Sequence, residues 1–215
     1  MWKALVFYFS NGLPIIIWGF FRDCYFYPSE NINPPPLITI KNIKTEHLSE
    51  QTLNRMYAVL IHAYAETEVE IWGQNHIRIA KDDFTELIER KEIFGAFIEN
   101  QLVGSVRLFK KDQQTFSFGL LSADLNMQGK GIGNALVEHI EAVAKKEGAT
   151  YMTLEILRAI ALETPFKKRL KEWYTKLGYT YTLSGSFKEL KPTHADRADK
   201  LVQPCVFDCY QKVLS

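Results

Sequence analysis

The chain has 215 residues, of which 47% are hydrophobic and 24% charged, and its formal net charge is +1 at pH 7. A chain of this length forms one large domain with a sizeable core, or a small pair of domains. The near-neutral charge argues against a broad polybasic surface for nucleic acid or anionic lipid. Three cysteines are too few for a disulfide scaffold, so free thiols and a cytoplasmic location are expected.

The first 36 residues differ from the rest, because they hold ten of the 28 aromatic residues but only four charged ones. Residues 4–21 are apolar, yet polar residues, a glycine and a proline interrupt them, so membrane contact is disfavoured and remains the alternative to a cytoplasmic protein. No small-x-small cleavage site of a secretory signal is found in this segment. Prolines 34–36 form a stiff spacer. We therefore predict an N-terminal extension over residues 1–36 and one domain over residues 37–215.

The first half of this domain is predicted to be rich in hairpins. Apolar residues alternate in the predicted strands and recur at helical spacing in the predicted helices. Asn100 indicates a tight turn between two of the strands, which makes their pairing antiparallel. The predicted elements are a strand at 37–43, a helix at 48–65, a polar loop at 66–70, a helix at 81–91, and strands at 92–99, 101–110 and 115–123.

The second half alternates helices and strands. A long helix follows a glycine-rich segment and ends at Gly148, and a second helix ends at Gly178. The predicted elements are the helix from about 132 to 147, a strand at 151–157, the helix at 163–177, and strands at 179–187 and 205–213. Together the two halves predict a mixed α+β or α/β domain of three layers.

The glycine-rich segment Q-G-K-G-I-G lies between a strand and the long helix, and its composition predicts an anion site. The first turn of a helix offers unpaired N–H groups and the positive end of the helix dipole, and glycines let a phosphate approach the backbone. The Walker pattern is absent, and the dinucleotide fingerprint fails because its third glycine falls at Asn134. A glycine turn that serves only strand-helix packing is the alternative.

Together with its neighbours, this segment resembles the acetyl-CoA signature of the GNAT superfamily of N-acetyltransferases. The segment L-S-A-D stands where that family has its splayed fourth strand, Y-M-T-L-E-I-L follows the long helix, and E-W-Y-T-K-L-G-Y resembles the family's Tyr-x-x-x-Gly-aromatic ending. The resemblance implies a GNAT-like three-layer fold, with a central, mostly antiparallel twisted sheet flanked by helices. It also implies acetyl-CoA as co-substrate and no metal.

The resemblance further implies a coenzyme site made mostly of backbone. The pantetheine would run along Leu121, Ser122 and Ala123, and the pyrophosphate would lie on the loop. Lys130 either contacts phosphate or is a solvated lysine. The loop residues carried over from the family are Gln128, Gly129, Lys130, Gly131, Ile132, Gly133 and Asn134.

Acetyl transfer to an amine needs a base, because amines are mostly protonated at neutral pH. Glu155 is the best candidate, since a carboxylate on an otherwise apolar strand is costly without a purpose or a partner; a structural ion pair is the alternative. Asp124 and Glu163 are weaker candidates. Tyr174 falls on the family's acid position and would protonate the departing thiolate, while its alternative role is packing.

The acceptor is predicted to be a primary amine of a small molecule or a peptide. Residues 66–92 contain eight acids and four bases, so an acidic mouth near Tyr64 and Trp72 would suit a cationic amine. A solvated helix face explains the same charges. A non-catalytic acyl-CoA-binding regulatory module is the alternative to an enzyme. The sequence does not indicate an oligomeric state.

Overall fold

The structure, a computed structural model, describes residues 5–8, 14–18, 25–26 and 36–214. The chain divides into two compact units, residues 1–36 and 37–215. In the first unit the strands β1 (Leu5–Tyr8), β2 (Pro14–Trp18) and β3 (Tyr25–Phe26) form an antiparallel sheet in that order. Most of the predicted proline spacer lies outside the described residues. None of the helices in the described ranges is both long enough and apolar enough to cross a membrane.

The second unit is built on a seven-stranded sheet in the order β4-β5-β6-β7-β8-β10-β9. Its neighbouring strands are antiparallel, apart from the parallel pair β7 and β8. The mostly antiparallel sheet of the sequence analysis is thereby confirmed. The strands are β4 (Thr39–Asn42), β5 (Ile93–Ile98), β6 (Gln101–Lys110), β7 (Thr115–Ala123), β8 (Tyr151–Ala159), β9 (Thr180–Gly185) and β10 (Cys205–Val213).

Six α-helices accompany this sheet: α1 (Glu50–Thr67), α2 (Val69–Trp72), α3 (Lys81–Glu89), α4 (Ile132–Lys146), α5 (Pro165–Lys176) and α6 (Phe187–Leu190). The side chains of Ser49 and Thr164 accept hydrogen bonds from first-turn N–H groups of α1 and α5, which fixes where these helices begin. After α4 the chain leaves the helix through Gly148, whose φ is 85°.

The helices cover both faces of the sheet, and the described residues form three apolar clusters. On one face, Leu60 of α1 and Phe84 of α3 are fully buried. On the other, Leu136 and Ile140 of α4 pack with Met152 of β8, and all three are fully buried. Helix, sheet and helix therefore form the three layers that the sequence predicts.

Three segments differ from the sequence prediction. Residues 66–70 do not form a polar loop, because α1 continues to Thr67 and α2 begins at Val69, with only Glu68 between them. The predicted strand 179–187 stops at Gly185, because Ser186 and Glu189 make a reciprocal capping box that starts α6. A run of 3-10 turns, Pro192–Lys200, follows before β10. This insertion packs against the end of α2, where the N–H of Val202 donates to the carbonyl of Ile71.

Candidate functional site

The two parallel strands at the centre of the sheet pair over only part of their length. The register between β7 and β8 covers Thr115 to Ser117. Further along, β7 carries one extra residue against β6, because Gly119 and Ser122 face Arg107 and Ser105. Leu120 has a φ of 49° in this bulge. A bulge bends its strand, so β7 diverges from β8, and its edge from residue 119 to residue 123 faces a cleft.

This cleft contains a cavity of about 510 Å³ between β7, β8, α1 and α5. Seven of the residues predicted for the site line it: Leu121, Ser122, Ala123, Gln128, Gly133, Glu155 and Tyr174. The structure therefore brings the predicted coenzyme strand and both predicted catalytic residues to one cavity. Ile132 is instead buried in the core under α4, so only its backbone is available to a ligand.

The glycine loop leads directly from this cavity into α4. Gly129 and Gly131 have φ values of 78° and 77°, which non-glycine residues rarely adopt. A side chain at either position would meet open space. Within the described chain no side chain caps the start of α4 at Gly131, so the first-turn amides are open to an anion. The loop thus fits the pyrophosphate of a coenzyme such as acetyl-CoA.

Trp173 of α5 holds the other side of this loop. Its indole N–H donates to Oδ1 of Asn134 over 2.7 Å, and its ring lies 3.4 Å from where a Cβ of Gly133 would be. Asn134 was predicted to lie in the coenzyme site, and its side-chain oxygen accepts from Trp173. Its backbone N–H and its side-chain NH2 are the groups that suit a phosphate, which accepts hydrogen bonds.

We expect Gly131→Ala to weaken acetyl-CoA binding about tenfold, because a left-handed alanine costs roughly 1–2 kcal/mol and shifts the loop. Gly148→Ala is the matched control, since Gly148 also has a positive φ and open space around it but ends the same helix. Titration calorimetry gives the affinity of each variant, and urea unfolding gives its stability. Equal coenzyme affinity in the two variants would contradict a phosphate site at Gly131.

Tyr174 lies on α5 with its side chain buried in the cavity wall. It is 5% exposed, and its ring packs against Phe118 of β7 at a centroid distance of 5.8 Å. Burial, and next the nearby Tyr64, raises the pKa of Tyr174 above its usual value of about 10. The phenol therefore keeps its proton at neutral pH, as a proton donor must.

The three carboxylates considered for the base all have partners. Glu155 lies 2.6 Å from the ammonium of Lys191 and 4.0 Å from that of Lys111. Asp124 pairs with Arg55 and accepts the N–H of Asn126, and Glu163 pairs with Lys171 at 2.6 Å. Glu155 lines the cavity beside β7. Its position is compatible with a general base and its contacts with a structural ion pair, so the role as base stays a prediction.

A buried ion pair at the cavity escaped the sequence analysis. Glu68 and Lys167 are 7% and 3% exposed, and their charged atoms lie 2.9 Å apart. The indole of Trp72 also donates to Glu68, over 3.0 Å. Burial raises the pKa of Glu68, but Lys167 and then Arg78 outweigh it, so the net pKa is lowered. The sequence held one indication of this buried pair: Lys167 lies at helical spacing with Leu170 and Tyr174, so it is on the same face of α5 as those residues.

The predicted acidic mouth does not lie at this cavity. Of the eight acids in residues 66–92, only Glu68 lines it. Glu92 pairs with Arg107 of β6, and Glu86 pairs with the exposed Arg90 of the same helix turn. Trp72 is buried against Glu68 and Phe187. Within the described ranges, no group of three or more His, Cys, Asp or Glu side chains could hold a metal ion.

Comparison with known proteins gives one family. The model of the acetyltransferase (GNAT) family matches residues 56–179, which include most of α1, the glycine loop and Tyr174. No curated protein matches the chain.

Three solved structures share the fold. The PaiA N-acetyltransferase of Thermoplasma acidophilum, in complex with coenzyme A, is 18% identical, with a TM-score of 0.60 over 82% of this chain and 99% of that one. An aminoglycoside 6'-N-acetyltransferase complexed with coenzyme A is 13% identical, with a TM-score of 0.61 over 82% and 97%. N-acetylglutamate synthase from Neisseria gonorrhoeae, complexed with coenzyme A and N-acetyl-glutamate, is 18% identical, with a TM-score of 0.56 over 83% of this chain and 35% of that one. This chain spans about a third of that synthase.

Proposed function

The chain belongs to the GNAT acetyltransferase family, and on that premise we propose that it transfers the acetyl group of acetyl-CoA to a primary amine of a small molecule or a peptide. The enzyme is an acetyl-CoA-dependent acyltransferase. The observation that carries the proposal is a single cavity that is lined by the open edge of β7, by residues of the glycine loop and by Tyr174. The amine attacks directly, within a complex that holds both substrates.

The chain's backbone holds the coenzyme. Acetyl-CoA supplies an activated acetyl thioester. The unpaired edge of β7 at residues 121–123 offers N–H and C=O groups that bind the pantetheine amides as an added strand does. The amides of residues 128–134, at the positive end of α4, bind the pyrophosphate. An N–H of β7 polarises the thioester carbonyl, because it points into the cleft where negative charge develops.

Two side chains move protons in this proposal. Glu155 accepts a proton from the ammonium group of the acceptor, directly or through one water, and the neutral amine then attacks the thioester. Tyr174 donates its proton to the sulfur of coenzyme A as the thiolate leaves. In this proposal the base, Glu155, lies on β8 and the acid, Tyr174, lies on α5, and both side chains line the same cavity.

We expect Glu155→Gln to lower kcat/KM at least tenfold below the pKa of the acceptor amine and less above it, because a deprotonated amine needs no base. The pH profile of thiol release measures this. Glu141→Gln is the control, since Glu141 also pairs with a lysine at 2.6 Å but lies outside the cavity lining. An unchanged pH profile in Glu155→Gln would assign the carboxylate to a structural ion pair.

The proposed function is tested by thiol release from acetyl-CoA with a panel of amino acids, polyamines, aminoglycosides and peptides. Release that depends on one class of amine, with the acetylated product identified by mass spectrometry, is the expected result. Coenzyme binding without release on any acceptor would instead favour the non-catalytic acyl-CoA-binding module.

A further inference from the structure

The charges that line the cavity are nearly all matched within the protein. Its three carboxylates each have a basic partner: Glu68 has Lys167, Asp124 has Arg55, and Glu155 has Lys191. Two cavity-lining cations remain after this pairing, Arg78 and Arg169. They lie on different parts of the wall, so each needs its own explanation.

Arg169 belongs to the coenzyme side of the cavity. It lies on α5 one turn before Trp173, which contacts the glycine loop. Its side chain is exposed, so water can solvate its charge. Arg169 therefore requires no further anion.

Arg78 belongs to the opposite side, beside α1. Its guanidinium lies over the ring of Tyr64 at 5.2 Å, and its Nε is 3.8 Å from Glu68, which already accepts from Lys167 and Trp72. Nε of Arg78 is buried and has no hydrogen-bond partner among the described residues, whereas the side chain as a whole is 22% exposed and lines the cavity. A buried N–H without an acceptor is unfavourable, and the exposed part of the guanidinium is the part that a ligand in the cavity can reach.

A second guanidinium makes this part of the wall more positive. Nη2 of Arg197, in the 3-10 insertion, donates to the backbone carbonyl of Arg78 over 3.1 Å. Burial, and next the charge of Arg78, lowers the pKa of Arg197, so the two cations repel each other. Arg197 does not line the cavity itself, but its charge next to Arg78 makes this part of the cavity wall more positive.

We propose that Arg78 binds a carboxylate carried by the acceptor, so that the substrate is an amino acid or another amine with a carboxylate in the same small molecule. This inference rests on the proposed acetyl transfer and names its substrate class. One surplus guanidinium that lines the cavity matches the single charge of a carboxylate better than the double charge of a phosphate. Its planar donors suit bidentate binding of that group.

An amino acid acceptor differs from one that is cationic overall, such as a polyamine. A polyamine would place ammonium groups beside Arg78, with no free carboxylate to receive them, and like charges in a desolvated site repel strongly. An amino acid instead places its carboxylate at Arg78 and presents its amine to the thioester. Tyr64, whose pKa burial raises to about 12, stays neutral beside it.

The test compares acceptors that differ only in the carboxylate. The sets are leucine with leucinamide and isopentylamine, lysine with lysinamide and cadaverine, and 4-aminobutyrate with butylamine. Full-length protein, acetyl-CoA and each acceptor are assayed for thiol release. We expect kcat/KM to be ten- to a hundredfold higher for the best carboxylate-bearing acceptor than for its partners, as for loss of a charged hydrogen bond. An amino acid amide has a lower amine pKa than the amino acid and so a larger fraction of free amine at pH 7. The comparison of each amino acid with its amide therefore excludes amine reactivity as the cause of a preference for the carboxylate.

Arg78→Met then removes the charge and keeps much of the side-chain volume. It should raise KM for the preferred carboxylate-bearing acceptor at least tenfold. The KM for acetyl-CoA and the KM for the matched amine without a carboxylate should change little. Arg90→Met is the control, because Arg90 is exposed, pairs with Glu86 on the surface and does not belong to the cavity lining. Equal losses on both acceptor types, or a preference for the amines without carboxylate, would overturn the inference.

A binding measurement separates this inference from the proposed function. Each acceptor is titrated by calorimetry into the protein saturated with coenzyme A. Carboxylate-bearing acceptors that bind at least tenfold more tightly, and lose this advantage in Arg78→Met, support the inference even when no acceptor releases thiol. Absence of that advantage overturns it even when acetylation of plain amines establishes the proposed function.

Discussion

Replacing Tyr174 with phenylalanine lowers kcat about a hundredfold at neutral pH, the smaller end of the range for loss of a general acid. The ring contacts with Phe118 and Tyr179 remain, because only the hydroxyl is removed. KM for acetyl-CoA therefore changes little, and so does the free energy of unfolding. Stopped-flow and steady-state thiol release measure the loss. An alternative thiol ester with a more acidic thiol as its leaving group restores part of the rate, because that thiolate needs less help from an acid.

Tyr179→Phe is the matched control for this experiment. Tyr179 is as deeply buried and its ring meets that of Tyr174 at 5.8 Å, but its hydroxyl donates to Glu141 over 2.6 Å, away from the cavity lining. Loss of this hydrogen bond in Tyr179→Phe lowers the free energy of unfolding by about 1–3 kcal/mol and leaves kcat near that of the native enzyme. Similar kcat values in the two variants would assign Tyr174 to packing alone.

Lys167→Met destabilises the protein by about 3–5 kcal/mol at pH 8, because the buried carboxylate of Glu68 loses its nearest cation. Urea unfolding at equilibrium measures the change. Lys168→Met is the control, since the next residue on α5 is exposed and its replacement stays within about 0.5 kcal/mol of the native stability. Combining Lys167→Met with Glu68→Gln recovers part of the loss, because no unpaired charge is then buried.

The pH dependence of this loss has a defined sign. In the native protein the folded-state pKa of Glu68 is below its unfolded value, so its contribution to stability is present above the unfolded pKa and lost as the pH falls through the folded pKa. Without Lys167, burial favours the protonated carboxyl, which carries no charge to desolvate. The difference between native protein and Lys167→Met is therefore smaller at pH 4 than at pH 8. A difference that does not change with pH would show that Glu68 is not the group affected.

Much of the fold was accessible from the sequence because its signals are local. The strands 101–110, 115–123 and 205–213 end where they were predicted to end. Alternating side chains and turn residues such as Asn100, whose φ is 65°, determine such boundaries within a few residues. The glycine loop is equally local, since its function depends on backbone conformation and not on distant side chains.

The parts that were missed depend on contacts between residues far apart in the chain. The sequence predicts Glu68 to be an acid in a polar loop, but in the structure it pairs with Lys167, which lies 99 residues later in the chain. Lys191, which pairs with Glu155, follows α6, a helix that was not predicted from the sequence. The bulge at Leu120 has no sequence signal of its own, because leucine rarely adopts a positive φ. Glu155 was predicted to lie at the site, but the basic partners of the cavity acids, and with them the charge of the acceptor site, depend on these distant contacts.

The incomplete pairing of β7 and β8 has a consequence for the motion of the cleft. Main-chain hydrogen bonds join the two strands only from Thr115 to Ser117, so the rest of the sheet centre has no ladder to set its width. At the open end, Lys167 of α5 reaches across to Glu68 at the end of α1, a helix that packs on β6 and β7. An electrostatic cross-link thus limits how far the two halves of the sheet separate. Because protonation of Glu68 removes this ion pair, we expect the two sides of the cleft to separate more easily in acid.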